Sequence, residues 1–320
     1  MKKVALSIAL GIVVLSTNHV SGQTVVPSQE KKSAVHVSFI PPLSTNGVKA
    51  GEYSNTFSLN LLAGISKNER AFTLGGLTNI IRNNSTGFQL AGLGNYVGNE
   101  GSGILFSGLT NIVKNNYSGF QFAGLANVSG DVKGFQFAGL FNVAKEVSGV
   151  QFAGLLNIAD HSDYPIGLIN IIKDGEMSIA ASYNEIGTTG ITFRSGGKVT
   201  YGILGVGYNH KTKGDAFAIL GGFGAHININ SWLRINNELT GETFGNFSDE
   251  ITFKAGYALM PAFRIGKHFE VFGGPSINYM QTDDADNHKM FPNNSLWKKE
   301  RSSKLQQVYI GYQAGMQFIF

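Results

Sequence analysis

Large apolar residues alternate with small or amide-bearing ones along most of this chain. In GFQFAGLFNVA (residues 134–144), Phe135, Phe137, Gly139, Phe141 and Val143 share one parity; Gln136, Ala138, Leu140, Asn142 and Ala144 share the other. A helical period would mix the two sets, whereas a period of two keeps them apart, so the pattern predicts a strand. The same split holds for Phe120, Phe122, Gly124, Ala126 and Val128 against Gln121, Ala123, Leu125 and Asn127.

The unit is repeated. Aligned on Gly-Leu-x-Asn, the core asparagines are Asn79, Asn95, Asn111, Asn127, Asn142, Asn157 and Asn170, at spacings of 16, 16, 16, 15, 15 and 13. Polar, turn-prone connectors such as GNEGS, KNNYS and AKEVS separate the copies. Two architectures satisfy the side-chain amides. A parallel solenoid would stack Asn on Asn. An antiparallel barrel would set Gln of one strand near Asn of the next. Three features favour the barrel. Alternation runs without an evident corner through about ten residues, enough for a tilted strand to cover the roughly 25 Å apolar band of an outer-membrane barrel. The strand centres carry almost no charge on the face a soluble solenoid would expose. The rest of the chain also alternates.

In that remainder, Phe217, Ile219, Gly221, Phe223, Ala225, Ile227 and Ile229 oppose Ala218, Leu220, Gly222, Gly224, His226, Asn228 and Asn230. Further strands are expected over Met177–Tyr183, Thr188–Phe193, Val199–Tyr208, Phe217–Asn228, Trp232–Leu239, Ile251–Leu259, Phe269–Tyr279 and Val308–Phe320. With Val35–Phe39, Tyr53–Ala63 and the repeats, the count reaches about 17; single-chain barrels favour even numbers, so about 16 strands, within 14–18, are expected. The fold class that follows is all-β, an antiparallel up-and-down transmembrane β-barrel. Residues 23–320 would form it as one domain, with repeat strands over 55–175 and non-repeat strands over 176–320.

The ends bear on location. Residues 1–22 have a basic start (Lys2, Lys3), an apolar stretch from Val4 to Leu15 and small residues at Val20 and Gly22, which predicts a signal peptide and export. The last strand alternates Val308, Ile310, Tyr312, Ala314, Met316, Phe318 and Phe320. It resembles the C-terminal signature of bacterial outer-membrane barrels, which implies recognition by the barrel-assembly machinery through the strand ending at Phe320. The chain has no cysteine, which removes disulfides and thiolate metal sites. Its formal charge of +4 gives no argument for nucleic acid. Its 42 glycines recur in register with the repeats rather than as a linker.

The tandem GFQFAGLxNV segments, over roughly residues 55–175, resemble a surface-repeat family first described from spirochaetes and seen in Bacteroidetes-type exported proteins. The stretch GLINIIKDGEMSIAASYNE is similar to sequences of the same group. The resemblance implies an exported surface or outer-membrane protein and carries over no catalytic residue.

Catalytic and cofactor motifs are absent. The seven histidines lack metal-ligand spacing, and no nucleophile elbow or phosphate loop is present. Glycine-rich GILGVGYNH sits inside an alternating strand with no helix following. The acidic run Asp283, Asp284, Asp286 reads as a solvated loop rather than a Ca²⁺ site, and this long loop could fold into a barrel mouth. Parity turns His226, Arg234, Glu238, Lys254 and Glu270 away from lipid, together with Gln121, Gln136, Gln151, Asn127, Asn142 and Asn157 from the repeats. These are the candidate lumen-lining residues, either bracing the wall as ion pairs or lining a solute path. The expectation is a non-enzymatic outer-membrane barrel, a passive channel or structural surface protein in contact with outer-membrane lipid, with no cofactor. The alternative is a secreted or surface solenoid acting in adhesion. A stripe of Gly92, Gly108, Gly124, Gly139 and Gly154 is expected on the outward face.

Overall fold

The structure, a computed structural model, describes residues 30–212, 216–245, 252–301 and 304–320. The expected signal peptide, residues 1–22, lies outside the described residues.

The repeats do not contribute strands to a barrel. Each forms one coil of a parallel β-solenoid. A coil has a long strand, such as Tyr117–Ala123 or Asp131–Ala138, and a short one, such as Ala126–Val128 or Phe141–Val143. Long strands stack in register on long strands, Phe120 on Phe135 and Gln121 on Gln136. Short strands stack likewise, Asn111 on Asn127 on Asn142. The stack runs from Tyr53–Asn60 to Ile169–Ile172. At its free end the strands Lys31–Ile40 and Leu43–Ser44 extend the long-strand sheet.

Residues 176–320 close a separate barrel of eight antiparallel strands: Glu176–Asn184, Thr188–Gly196, Thr200–Asn209, Phe217–Asn228, Leu233–Phe244, Thr252–Ile265, Phe269–Thr282 and Lys304–Ile319. The first and last pair edge to edge, Ser178 with Ile319 through Asn184 with Gln313. A short strand, Trp297–Arg301, covers the overhanging part of the last. The single barrel of about 16 strands is therefore corrected to a solenoid followed by an eight-strand barrel.

The correction has a local cause. Each coil turns at Gly-Leu, as at Gly124-Leu125 and Gly139-Leu140. A two-residue corner keeps the parity count, so alternation passes through it undisturbed. Leu125 and Leu140, expected on the amide side, instead point outward at the corner and are exposed. Gln121, Gln136, Gln151, Asn127, Asn142 and Asn157 are fully buried in the solenoid, not in a barrel lumen. Stacking equivalent amides one strand spacing apart lets each amide donate to the next, a continuity that antiparallel neighbours would not give. The glycine stripe is not a groove in lipid either. A Cβ on Gly124 would lie 2.1 Å from the carbonyl oxygen of Gly108, so glycine is what allows successive corners to stack.

The last coil abuts the outer wall of the barrel. Asn170 donates its backbone N–H to Ser195 Oγ (2.9 Å) and its side-chain amide to the Ser195 carbonyl (3.0 Å). Thr200 Oγ1 donates to the Pro165 carbonyl (2.8 Å). Leu168, the corner leucine of that coil, reaches Gly221 in the middle of the wall.

Candidate functional site

Three arrangements carry chemical information: the solenoid interior, the solenoid surface and the barrel interior.

Inside the solenoid the asparagine column is continuous. Asn95 donates to Asn111 Oδ1 (2.9 Å), Asn111 to Asn127 (2.9 Å), Asn127 to Asn142 (3.0 Å), Asn142 to Asn157 (3.0 Å) and Asn157 to Asn170 (2.8 Å). The second amide hydrogen goes to a backbone carbonyl of the following coil, as from Asn127 to Phe137 (2.8 Å). A shorter glutamine column runs from Gln151 to Gln136 (3.0 Å) and Gln136 to Gln121 (2.8 Å). Near the free end the buried carboxylate of Glu69 accepts from Asn55 (3.0 Å), Ser58 (2.8 Å) and Thr73 (2.9 Å). Burial raises its pKa, and these hydrogen bonds oppose the rise.

The solenoid surface is divided by chemistry. Apart from the buried Glu69, every charged side chain from Lys67 to Asp174 lies near one edge, where short strands hand over to long ones: Arg70, Arg82, Glu100, Lys114, Asp131, Lys133, Lys145, Glu146, Asp160, Lys173 and their neighbours. Residues 71–81, 86–99, 101–113, 115–130, 134–144, 147–159 and 164–172 contain none. The opposite edge is the row of corner leucines, and the long-strand face between is paved with rings. Phe106 stacks on Phe122 (5.6 Å between centroids), Phe122 meets Phe137 (6.1 Å) and Phe137 stacks on Phe152 (4.9 Å). Phe120 is 49% exposed while Gln121 beside it is fully buried. A water-soluble solenoid would have the reverse distribution.

The barrel interior is filled by paired charges and apolar layers. Arg194 donates to Glu238 (3.1 Å) and to Gln317 Oε1 (2.9 Å) while lying over the Phe272 ring (4.4 Å). Tyr201 Oη donates to Glu238 (2.8 Å). Toward the rim with the short turns, Arg234 bridges Glu176 (2.7 Å) and Glu270 (2.7 Å), and Arg264 joins Glu176 (2.8 Å). His226 stacks on Tyr201 (4.3 Å) and meets Asn236 Oδ1 through Nδ1 (2.8 Å). Toward the other rim Lys254 pairs with Glu242 (3.1 Å) and Glu185 (3.4 Å). Above that lies an apolar plug of Ile186, Leu220, Phe244, Met280, Met290 and Tyr309, with Phe291 packed against it. Met290 and Phe291 come from the long connection 283–303. Asn287 in the same connection donates to Thr252 (3.0 Å) and accepts from Thr212 (2.9 Å). An eight-strand barrel is just wide enough for side chains to fill it, and here they do.

All five expected charged positions, His226, Arg234, Glu238, Lys254 and Glu270, therefore point into the barrel. Their partners Arg194, Glu176, Glu185, Glu242 and Gln317 were not singled out in the sequence. Arg194 and Glu176 fall just past the expected strand ends, although their parity is inward. A cleft of about 400 Å³ at the short-turn rim is lined by Glu176, Lys198, Trp232, Arg234, Arg264 and Glu270 among others. Among the described residues no cluster of metal-ligating side chains is present.

The outer wall is apolar: Ile179, Ile191, Val206, Ile219, Leu239, Leu259, Ile277 and Ile310 are exposed. Rings lie near both rims, with Trp232 on Phe263 (6.1 Å) and Phe269 on Phe318 (5.1 Å) at the short-turn end, and Tyr208 on Phe217 (5.3 Å) at the other. This distribution matches the inside-out pattern of a transmembrane barrel.

No protein-family model and no curated protein matches the chain, so the family resemblance rests on the repeat motif alone. A designed barrel from "De novo design of transmembrane beta-barrels" is similar over 45% of this chain and 93% of its own, at 13% identity and a TM-score of 0.26. A score that low carries no argument, and the functional reading rests on the side chains.

Proposed function

We propose that the protein is an integral outer-membrane protein whose eight-strand barrel is a closed anchor that holds the solenoid at the membrane, a structural surface component rather than a passive channel. One observation carries this reading: the outward residues of the barrel strands are apolar and exposed, as Ile191 is, while the charged side chains of the wall turn inward and are paired, as Arg194 is with Glu238. Ion pairs buried to this degree would be exposed to neither solute nor water, so the charges brace the wall instead of selecting ions. The plug of Met290 and Tyr309 closes the opposite mouth. Acyl chains are the partner of the outward row. The barrel-assembly machinery is the proposed partner of the last strand, through Tyr312, Met316 and Phe318.

The test combines two measurements on the full chain refolded in detergent. A folded barrel migrates faster on a cold gel than after boiling, and planar bilayers containing it show no steady conductance. Heat-independent migration would remove the barrel reading. Stable conductance steps would replace the anchor with a pore.

A further inference from the structure

The barrel wall gives a height scale for the solenoid. The barrel's connections alternate between two rims. Connections 197–199, 229–232 and 266–268 are short and share one rim with the end of the last strand. The strand ends at Asn184, Asn209, Phe244 and Thr282 lie at the other, where 185–187 is short and the remaining connections are longer. In transmembrane barrels the short turns face the periplasm.

The last coil is fixed against this scale at both of its edges. Its charged edge is at the short-turn rim, where Asp174 meets Lys198 of the 197–199 turn (3.8 Å). Its leucine edge lies higher, with Leu168 against Gly221, which pairs with Leu204. Leu204 is four residues along the strand from Thr200, so Leu168 stands about 10 Å above the rim row on a strand tilted ~40°. The hydrocarbon core is ~30 Å thick. The leucine edge is thus carried toward the bilayer mid-plane while the charged edge stays at the interface.

The coils behind it keep the same height because their short strands stack in unbroken register, from Ala63–Ser66 to Ile169–Ile172. The corner backbone is laddered from Leu125 N–H to the Leu109 carbonyl (2.9 Å) and from Leu109 to Leu93 (2.9 Å). The stack leaves the wall sideways and extends ~35 Å at about 4.8 Å per coil.

We infer that the solenoid is seated in a single leaflet, the one on the short-turn side, with its corner leucines and phenylalanine rows in acyl chains and its charged edge in water. This deepens the anchor reading and rests on it. The occupant of the apolar surface is lipid because that surface is continuous with the lipid-facing wall. Leu168 and Leu204 lie on one apolar band, and the band ends on both bodies at the same level, at Asp174 and Lys198. A second copy of the chain would have to cover the phenylalanine face and the leucine edge together.

The native chain has no cysteine, so single thiols can be placed freely. Leu125→Cys, Leu93→Cys, Phe120→Cys, Asn115→Cys and the mid-wall Ile219→Cys would each carry an environment-sensitive fluorophore in full-length protein reconstituted in phosphatidylcholine vesicles. Heat-modifiable migration first confirms the barrel in each. Quenching is then compared for lipids labelled shallow or deep in the acyl chain and for aqueous iodide. The expected result is deep-lipid quenching at Leu125 and Leu93 within about twofold of Ile219, shallow-lipid quenching at Phe120, and iodide quenching at Asn115. An impermeant thiol reagent should treat Asn115→Cys and Lys198→Cys alike and Asn294→Cys oppositely in vesicles of uniform orientation. Iodide quenching at Leu125 and Leu93 equal to that at Asn115, with Ile219 still in lipid, overturns the inference and leaves the anchor standing. Protection of the leucine sites from both quenchers also overturns it, in favour of a second copy. Loss of lipid quenching at Ile219 itself removes the anchor reading.

Discussion

Leu168 and Gly221 meet where the two halves of the protein join: a Cβ built on Gly221 would stand 3.6 Å from Leu168 Cδ2, an ordinary contact. One strand away, a Cβ on Gly202 would stand 2.0 Å from the Gly167 carbonyl oxygen. The junction therefore tolerates one added methyl and refuses the other. Gly221→Ala should leave the junction intact. Gly202→Ala should cost about 1–3 kcal/mol, the usual range for overpacking. Limited proteolysis near residues 173–176 distinguishes them, and equal protection of both variants would show that the coil does not pack on the wall this closely.

The asparagine column is the more demanding of the two amide columns. Asn127→Leu removes both the donor to Asn142 and the acceptor for Asn111 from a fully buried chain. It should lose about 2–3 kcal/mol in denaturant unfolding. Gln151 ends its column with an Oε1 that has no partner, and Leu105 already occupies the equivalent place in an earlier coil. Gln151→Leu removes one donor, that to Gln136 Oε1, and with it an unpartnered buried oxygen, so it should cost about 1 kcal/mol, less than Asn127→Leu. Equal losses for the two variants would contradict this account.

Gly119 has φ +130°, and a Cβ there would lie 2.1 Å from the Gly103 carbonyl oxygen. Gly119→Ala should destabilise the solenoid by at least ~2 kcal/mol, because both the backbone conformation and the stacking distance are violated. Hydrogen exchange would show the coils on either side opening first while the barrel amides remain protected. Uniform protection would mean that the coils can separate locally without strain.

Arg194 and Glu238 form a pair almost wholly out of water. Arg194→Met leaves a buried carboxylate with the Tyr201 hydroxyl as its remaining partner among the described residues, and should cost about 3–5 kcal/mol in detergent-solubilised unfolding. Adding Glu238→Gln should restore most of that loss. A double variant no better than the single one would mean that the arginine acts through packing on Phe272 alone.

On the charged edge the protonated His161 donates Nδ1–H to Asp174 Oδ2 (2.8 Å) and Nε2–H to Asp163 Oδ1 (3.1 Å). The two carboxylates raise its pKa above 6.5. A raised folded-state value means that this linkage contributes fully below pH 6.5 and fades as pH climbs through the folded value. An NMR titration of the imidazole should give a midpoint above 6.5, and His161→Gln should flatten the pH dependence of the last coil's stability. A midpoint at or below 6.5 would show that the carboxylates do not hold the ring.

Much of this fold was legible as strands, less of it as architecture. Alternation located all eight barrel strands and gave the correct inward side for Glu238, Lys254 and Glu270. The same alternation misled in the repeats. The Gly-Leu corner consumes two residues, so parity alone cannot distinguish a bent coil from a straight strand. The expectation that a solenoid hides its phenylalanines then pointed the wrong way, because this one keeps Gln121 and Asn127 inside and Phe120 and Phe122 outside. The ion-pair network was half visible, since Arg194 and Glu176 sit one residue beyond segments whose apolar rhythm had faded. Their partners are brought together only by barrel closure.

Because each coil meets only the coil before it and the coil after it, the reach of the blade is a matter of copy number. Excising residues 131–145 would set Glu146–Ala153 directly on Tyr117–Ala123, joining like to like without touching the wall contact at Ser195 or the terminal strands Lys31–Ile40 and Leu43–Ser44. Duplication of such a segment would lengthen the protein by one step. Span and attachment are thus separately adjustable, and a chain of this kind can grow or shrink by whole repeats without renegotiating how it is held.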